Sequence, residues 1–325
     1  MKIEKFFFYL TLIIFIWISV LSSSQTIEWT VKVKEGNDYA SFTTLEYYQG
    51  YFFCAFREAN SHVDQNGVDN GIITIMRSKN GRAWKDFDQI SLNGFDLRDP
   101  KLSITPDNRL MLITEAVKYE QRKDVTRKTM VSFTNRTKFG VLKEIIFNPS
   151  KAYNWLWDIE WVGDKALGFL YNPNFYAVSS KDGLTYDVQK EYSFAGFPTE
   201  AAITTLDNDR VVVILRINKE NSRIGIGDKS LKNIEWHDTG CRVEGPDIIN
   251  IEGEVYVCGR SFDKQVGMSL YELNKRNYRL KKIMDLPAKG DCSYPGMVFV
   301  RNRLFVSYYS TEKQKVSVFL SRIKL

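Results

Sequence analysis

The stretch Gly296-Met297-Val298-Phe299-Val300-Arg301-Asn302-Arg303-Leu304-Phe305-Val306-Ser307-Tyr308 is two apolar runs joined by a polar Arg-Asn pair. Each run is short and rich in residues that favour a pleated, half-buried surface, so the pair reads as a tight β-hairpin. The same grammar recurs upstream. It runs Ala40-Ser41-Phe42 through Gln49-Gly50 to Tyr51–Phe56, then Pro100–Ile104, Pro106-Asp107-Asn108 and Leu110–Thr114. It continues with Ile159–Val162, Gly163-Asp164 and Ala166–Tyr171, and with Ala201–Leu206, Asp207–Asp209 and Val211–Leu215. A fifth copy is Asp247–Ile251, Gly253 and Val255–Cys258. Successive copies start about 42 to 60 residues apart, the period of propeller blades. A β-sandwich also contains hairpins, but nothing in it requires the same hairpin six times. The expected fold is all-β, a six-bladed β-propeller.

The segments after the hairpins agree. Ile72–Met76 leads into Ser78-Lys79-Asn80-Gly81-Arg82-Ala83-Trp84, and Tyr176–Val178 leads into Ser180-Lys181-Asp182-Gly183-Leu184-Thr185-Tyr186. Asx-Gly makes a tight turn, and the aromatic after it suits a plug in the outer hydrophobic layer. Ser132–Phe139 and Asp228–Trp236 are weaker copies. Thr26–Val33 has no hairpin partner nearby, and Lys315–Ile323 ends the chain. Pairing the two would close the ring and remove its exposed edges.

Residues 1–24 stand apart from this pattern. Lys2 and Lys5 precede the apolar run Phe6 to Leu21, and Ser22-Ser23-Ser24 follows. That is the layout of a Sec signal peptide cleaved before Gln25. It predicts a secreted or periplasmic protein with no stable membrane insertion after cleavage, and one domain over residues 25–325. The formal charge of +6 is spread along the chain. It forms no basic stripe of the kind that binds nucleic acid, and it favours anionic ligands only weakly. The chain is expected to be a monomer. Of the four cysteines, Cys54 and Cys258 sit in apolar strands. Cys241 and Cys292 precede consecutive repeats in matching positions and could pair. No Cys/His spacing suggests a metal, and no cofactor is expected.

In a propeller, loops entering the first strand of each hairpin and leaving the second gather at one mouth of the central channel. The entrances carry Tyr39, Asp99-Pro100, Asp158, Glu200, Gly245-Pro246 and Tyr294-Pro295. The exits carry Arg57-Glu58, Glu115, Asn172, Arg216, Arg260 and Tyr309, and the loop after Arg57 adds His62, Asp64 and Asp69. Arginine follows three apolar strands in the same structural position. Planar guanidinium groups converging on one mouth suit a carboxylate ligand. Asp99, Asp158 and Glu200 can pair with them or act in proton transfer.

These features together resemble the sialidase superfamily: a signal peptide, six blades, turns similar to its Asp boxes and an arginine-lined mouth. The resemblance implies that Glu200 and Arg216 correspond to the glutamate and arginine of the fourth blade. It implies that Arg260 is a further carboxylate-binding arginine. Tyr294 would be the nucleophile, with Glu200 drawing off its proton, and Asp64 or Asp69 would be the acid/base. Sialidases begin their first blade with Arg-Ile-Pro, whereas this chain has Asp38-Tyr39-Ala40. Arg57 or Arg98 would have to supply that guanidinium. Phe56-Arg57-Glu58-Ala59 with His62, and Leu97-Arg98-Asp99-Pro100-Lys101-Leu102, are similar to a bacterial sialidase-like subgroup.

The expected function is an exo-acting glycoside hydrolase that removes a terminal acidic sugar, such as an α-linked sialic acid, from a glycan or glycoconjugate. Two alternatives stand beside it. One is a propeller hydrolase or lyase that uses Asp99, Asp158 and Glu200 on another glycan. The other is a non-catalytic carbohydrate-binding propeller, with Trp155 and Trp157 stacking on sugar rings.

Overall fold

A computed structural model describes residues 25–35, 39–63, 71–120, 123–135, 137–150, 155–171, 173–263 and 265–325. The leader, Asp64 and Asp69 lie outside the described residues. All regular structure among the described residues is β-strand, in a propeller-like array. Every repeat read from the sequence forms its hairpin, from Tyr39–Tyr48 with Tyr51–Ala59 through to Ser293–Val300 with Arg303–Glu312.

The hydrogen-bonded sheets number five rather than the expected six. The largest holds eight strands. It comprises two four-stranded units that meet through one parallel pair, Tyr39 with Val316. The N-terminal strand Thr26–Lys34 pairs antiparallel with Lys315–Lys324, from Thr26 opposite Lys324 to Lys34 opposite Val318.

The first strands of the hairpins pack side by side in a cycle, Tyr39–Tyr48 contacting both Asp96–Ile104 and Ser293–Val300. Each of these strands breaks register with its partner at its entrance. The breaks fall between Ser41 and Thr44, Arg98 and Lys101, Leu156 and Ile159, Pro198 and Ala201, Glu244 and Asp247, and Ser293 and Gly296. Such bulges bend a strand and re-aim side chains. Phe42, Asp99, Gly245 and Tyr294, each first in its bulge, all have positive φ, between 48° and 56°. That region costs a non-glycine residue about 1 kcal/mol or more.

Side chains at the same level tie neighbouring strands together. Thr44 Oγ1 accepts from Leu102 N at 3.2 Å, Glu115 Oε1 from Leu156 N at 3.2 Å, and Glu200 Oε2 from Gly245 N at 2.7 Å. Asp247 Oδ2 accepts from Met297 N at 2.7 Å, and Thr43 Oγ1 donates to Tyr294 O at 2.7 Å. Asp158 takes the corresponding place between its strand and the next, accepting from Ile203 N. The hydrophobic core fills the spaces between sheets; Met111, Ile113 and Val131 of one sheet pack on Tyr176, Val178 and Tyr186 of the next. Burying each such side chain contributes about 1.5–3 kcal/mol.

The two Asx-Gly turns have the same geometry. Ser78 Oγ accepts from Gly81 N at 2.9 Å, and Asn80 Oδ1 accepts from Arg82 N and Ala83 N. Ser180 Oγ accepts from Gly183 N at 2.9 Å, and Asp182 Oδ1 accepts from Leu184 N and Thr185 N. Gly81 and Gly183 have φ of 74° and 72°. Tyr186 is fully buried and Trp84 donates to Gly81 O, so both turns serve the fold. The cysteines are all free. Cys241 packs with Val243, Val257 and Tyr271, whereas Cys292 packs with Cys258, Met268 and Leu304, in different clusters.

Candidate active site

The bulges build the floor of the mouth. Phe42 and Tyr294 have ring centroids 4.8 Å apart, and Trp157 lies 4.9 Å from Tyr294. Trp157 is fully buried, so it is part of that floor and not an exposed sugar platform; Trp155 stacks on Tyr171 at 6.1 Å. Three charged groups stand around the aromatic floor.

The first contains Tyr294. Its hydroxyl donates to Glu200 Oε1 at 2.9 Å, and the same oxygen accepts from Arg216 Nη1 at 2.7 Å. Glu200 is 4 % exposed and its other oxygen is held by Gly245 N. Arg216 also pairs with Glu244 at 3.0 Å, and Glu244 in turn binds Arg242. The expected nucleophile, base and arginine therefore meet. Burial, then the negative charges of Glu200 and Asp99, hold the Tyr294 phenol well above its usual range. The Tyr294 phenol is thus neutral, with its proton directed at Glu200.

The second group is internal. Asp96 binds Arg57 through both oxygens, to Nε at 2.7 Å and Nη2 at 3.0 Å, and also accepts from Arg98 Nη1 at 3.0 Å. Arg57 and Asp96 are fully buried. Arg98 is nearly so, and its guanidinium carbon lies 4.9 Å from the Phe42 ring centroid. Both arginines therefore stand buried beside Phe42 with Asp96 as counter-ion, and their charges reach Tyr39. Arg98, the last paired residue before its bulge, donates to Asp96 and to His62 O. Asp99 follows, buried, with an Oδ1 that has no partner. Burial outweighs Arg98, and with Glu200 pushes its carboxyl up to about 7.

The third group occupies the Tyr39 corner. Tyr39 Oη donates to Asp291 Oδ2 at 2.5 Å and lies 2.8 Å from His62 Nδ1. Asp291 Oδ1 accepts from Arg260 Nη2 at 2.9 Å and from Tyr309 Oη at 3.2 Å. Arg260 Nε also donates to Cys292 O. Burial raises the Asp291 carboxyl, but the neighbouring His62 ring, the hydrogen bond from Tyr39 and the charge of Arg260 outweigh it and hold it down at about 2. Arg216 and Arg260 are the two expected arginines whose side chains keep an edge to solvent, 21 % and 23 % exposed.

Asp158 does not join these groups. It lines a cavity of about 500 Å³ formed by the inner strands, together with Lys101, Glu46, Glu160 and Asp247. Asp158 and Asp247 hold backbone amides of neighbouring strands. Among the described residues no cluster of three or more His, Cys, Asp or Glu is arranged to hold a metal ion.

Sequence reasoning missed Asp96, Glu244 and Asp291. A signal was present. Measured from the first residue of the bulge, Asp96, Arg242 and Asp291 all lie three residues upstream, and Arg98 and Glu244 lie one upstream. Period-two alternation puts those positions on one face.

No family model matches the chain, and neither does any curated protein. Solved structures do. A protein of unknown function from Dyadobacter fermentans superposes with a TM-score of 0.79 at 15% identity, covering 93% of this chain and all of that one. The fold is sialidase-like. The Streptococcus pneumoniae NanB sialidase matches with a TM-score of 0.69 at 11% identity over 90% of this chain and 70% of its own. The Trypanosoma rangeli sialidase bound to the inhibitor DANA matches with 0.68 at 11% identity over 92% of this chain. This chain spans 59% of that sialidase.

Proposed function

We propose that the chain is an exo-acting glycoside hydrolase on a six-bladed propeller, the eight-stranded sheet being two blades joined at Tyr39 and Val316. It is exported by its leader and acts as a monomer on a terminal acidic sugar of a glycan or glycoconjugate. The observation that carries this reading is the Tyr294–Glu200–Arg216 arrangement, with contacts of 2.9 and 2.7 Å. Tyr294 attacks the anomeric carbon while Glu200 receives its proton, a covalent route of the retaining kind. Glu200 and the Tyr294 oxygen then face the positive charge that develops on the sugar. The sugar carboxylate lies against Arg216 and Arg260, a clamp of two arginines.

A second reading is favoured by the Tyr39 corner. Asp291, held ionised, stands beside Arg260, so a sugar with hydroxyls instead of a carboxylate at that corner would meet less repulsion. The test is incubation of the mature protein with 4-methylumbelliferyl glycosides of sialic acid, uronic acids and neutral sugars. Cleavage of the sialoside or a uronide, abolished by Tyr294→Phe, is the expected result. Cleavage of neutral glycosides alone refutes the acidic sugar, and full activity of Tyr294→Phe refutes the nucleophile.

A further inference from the structure

We infer that His62, resting on the Tyr294 reading above, is the general acid/base of this site, through its Nε2 atom. The hydrogen-bond network fixes the ring. Tyr39 has one hydroxyl proton, and its 2.5 Å bond to Asp291 uses it. The 2.8 Å contact between Tyr39 Oη and His62 Nδ1 must then be donated by Nδ1. In the neutral ring Nε2 is therefore the bare nitrogen, and in the charged ring it carries the transferable proton.

The position of His62 is built. Its carbonyl accepts from Arg98 Nη1 at 2.8 Å, and its ring stands edge-on to Phe42 with centroids 5.3 Å apart. Phe42 lies 4.8 Å from Tyr294, so the His62 and Tyr294 ring centres are at most about 10 Å apart across one aromatic ring. Both rings pack against the same buried Phe42, so one sugar bound at Tyr294 lies within reach of His62. The His62 side chain is 52 % exposed, with Asp291 Oδ2 3.7 Å from Nδ1. A carboxylate behind an imidazole fixes its tautomer and its charge; here the tyrosine hydroxyl lies between them.

The steps balance. Tyr294 Oη bonds to the anomeric carbon as the glycosidic C–O bond breaks. The Nε2 proton goes to the leaving oxygen, and the Tyr294 proton goes to Glu200. Water then attacks the same carbon and gives a proton to Nε2. The Tyr294–carbon bond breaks, and Glu200 returns the proton to Tyr294.

The test compares His62→Gln with the parent on two glycosides of the sugar that the parent cleaves. One has a 4-methylumbelliferyl leaving group, which departs without much help; the other has a methyl or sugar leaving group. Loss of a general acid costs about 10²–10⁴-fold. That loss is expected on the poor leaving group, with less than about tenfold loss on the good one and a flattened basic limb in the pH profile of kcat/KM. Equal losses on both substrates, or no loss, overturn the assignment. So does the leaving-group-dependent loss appearing in Asp64→Asn or Asp69→Asn and not in His62→Gln. An active Tyr294→Phe, or a parent that cleaves no glycoside, refutes the Tyr294 reading instead and removes His62 with it.

Discussion

Replacing Asp96 by Asn should destabilise the fold by more than any surface charge change. Asp96 accepts three hydrogen bonds from two guanidinium groups, at 2.7, 3.0 and 3.0 Å, and neither it nor Arg57 is exposed. An ion pair at about 4 Å and an effective dielectric of about 20 gains about 4 kcal/mol, offset by several kcal/mol of desolvation per ion. The intact cluster is thus worth little net. Asn keeps one acceptor oxygen and no charge, so both buried cations lose the charge of Asp96. Breaking a buried pair in this way costs about 3–5 kcal/mol. For a domain of about 300 residues each kcal/mol moves Tm by about 2 °C, so the expected fall is about 6–10 °C. Glu254→Gln is the control, since Lys275 and Glu254 are 46 % and 47 % exposed and such pairs contribute about 1 kcal/mol or less. Thermal melts followed by circular dichroism and tryptophan fluorescence give the comparison. A Tm for Asp96→Asn within 2 °C of the parent, like the control, would refute the claim that this carboxylate neutralises both arginines.

Other outcomes follow from the same geometry. Glu200→Gln should lower kcat by about 10²-fold or more, because the Tyr294 proton loses its acceptor, while circular dichroism stays unchanged. Desolvation pushes several carboxylates up, the buried Asp99 to about 7 and Glu115 to about 8, and, around the cavity of the inner strands, the half-buried Glu46 and Asp247 to about 7 and Glu160 to about 8. The native state then binds more protons than the unfolded chain from about pH 4, where unfolded carboxylates titrate, up to pH 7–8. Stability should therefore fall as pH rises through that window; a Tm series from pH 5 to 8.5 that stays flat or climbs contradicts it. Gly183→Ala forces a φ of 72° on alanine and brings its Cβ 3.0 Å from Met111, so urea melts should show a loss of about 1–2 kcal/mol.

Much of the fold was legible because each repeat carries its own local signal. Gln49-Gly50, Gly163-Asp164 and Arg301-Asn302 each separate apolar runs of strand length, and each joins the expected hairpin. The partner of the N-terminal strand could also be read, since Thr26–Val33 and Lys315–Ile323 were the runs left over and they pair. The number of separate sheets could not. It turns on whether Tyr39 bonds to Val316 across two units, a contact between residues far apart in the chain with no local pattern to announce it.

The site shows where such reading stops. Glu200, Arg216 and Tyr294 were found because each occupies the entrance or exit of a hairpin, and a hairpin end is a position that sequence can specify. Whether an arginine at such an end serves a ligand or the core depends on its counter-ion. Arg57 and Arg260 leave their strands at equivalent exits, paired with Ser41 and Glu244 just before the bulge, and Arg216 stands one residue earlier, opposite the bulge itself. Arg57 meets Asp96 from the next repeat and is sealed, whereas Arg216 meets Glu200 and Glu244 at the mouth and keeps an edge to solvent. The carboxylate three residues before the bulge seals Arg57 in one repeat, whereas in another it is Asp291 beside Tyr39 and His62. Tyr39 thus connects a carboxylate to an imidazole, as Asp96 connects two guanidinium groups, and the same upstream position serves two different partners.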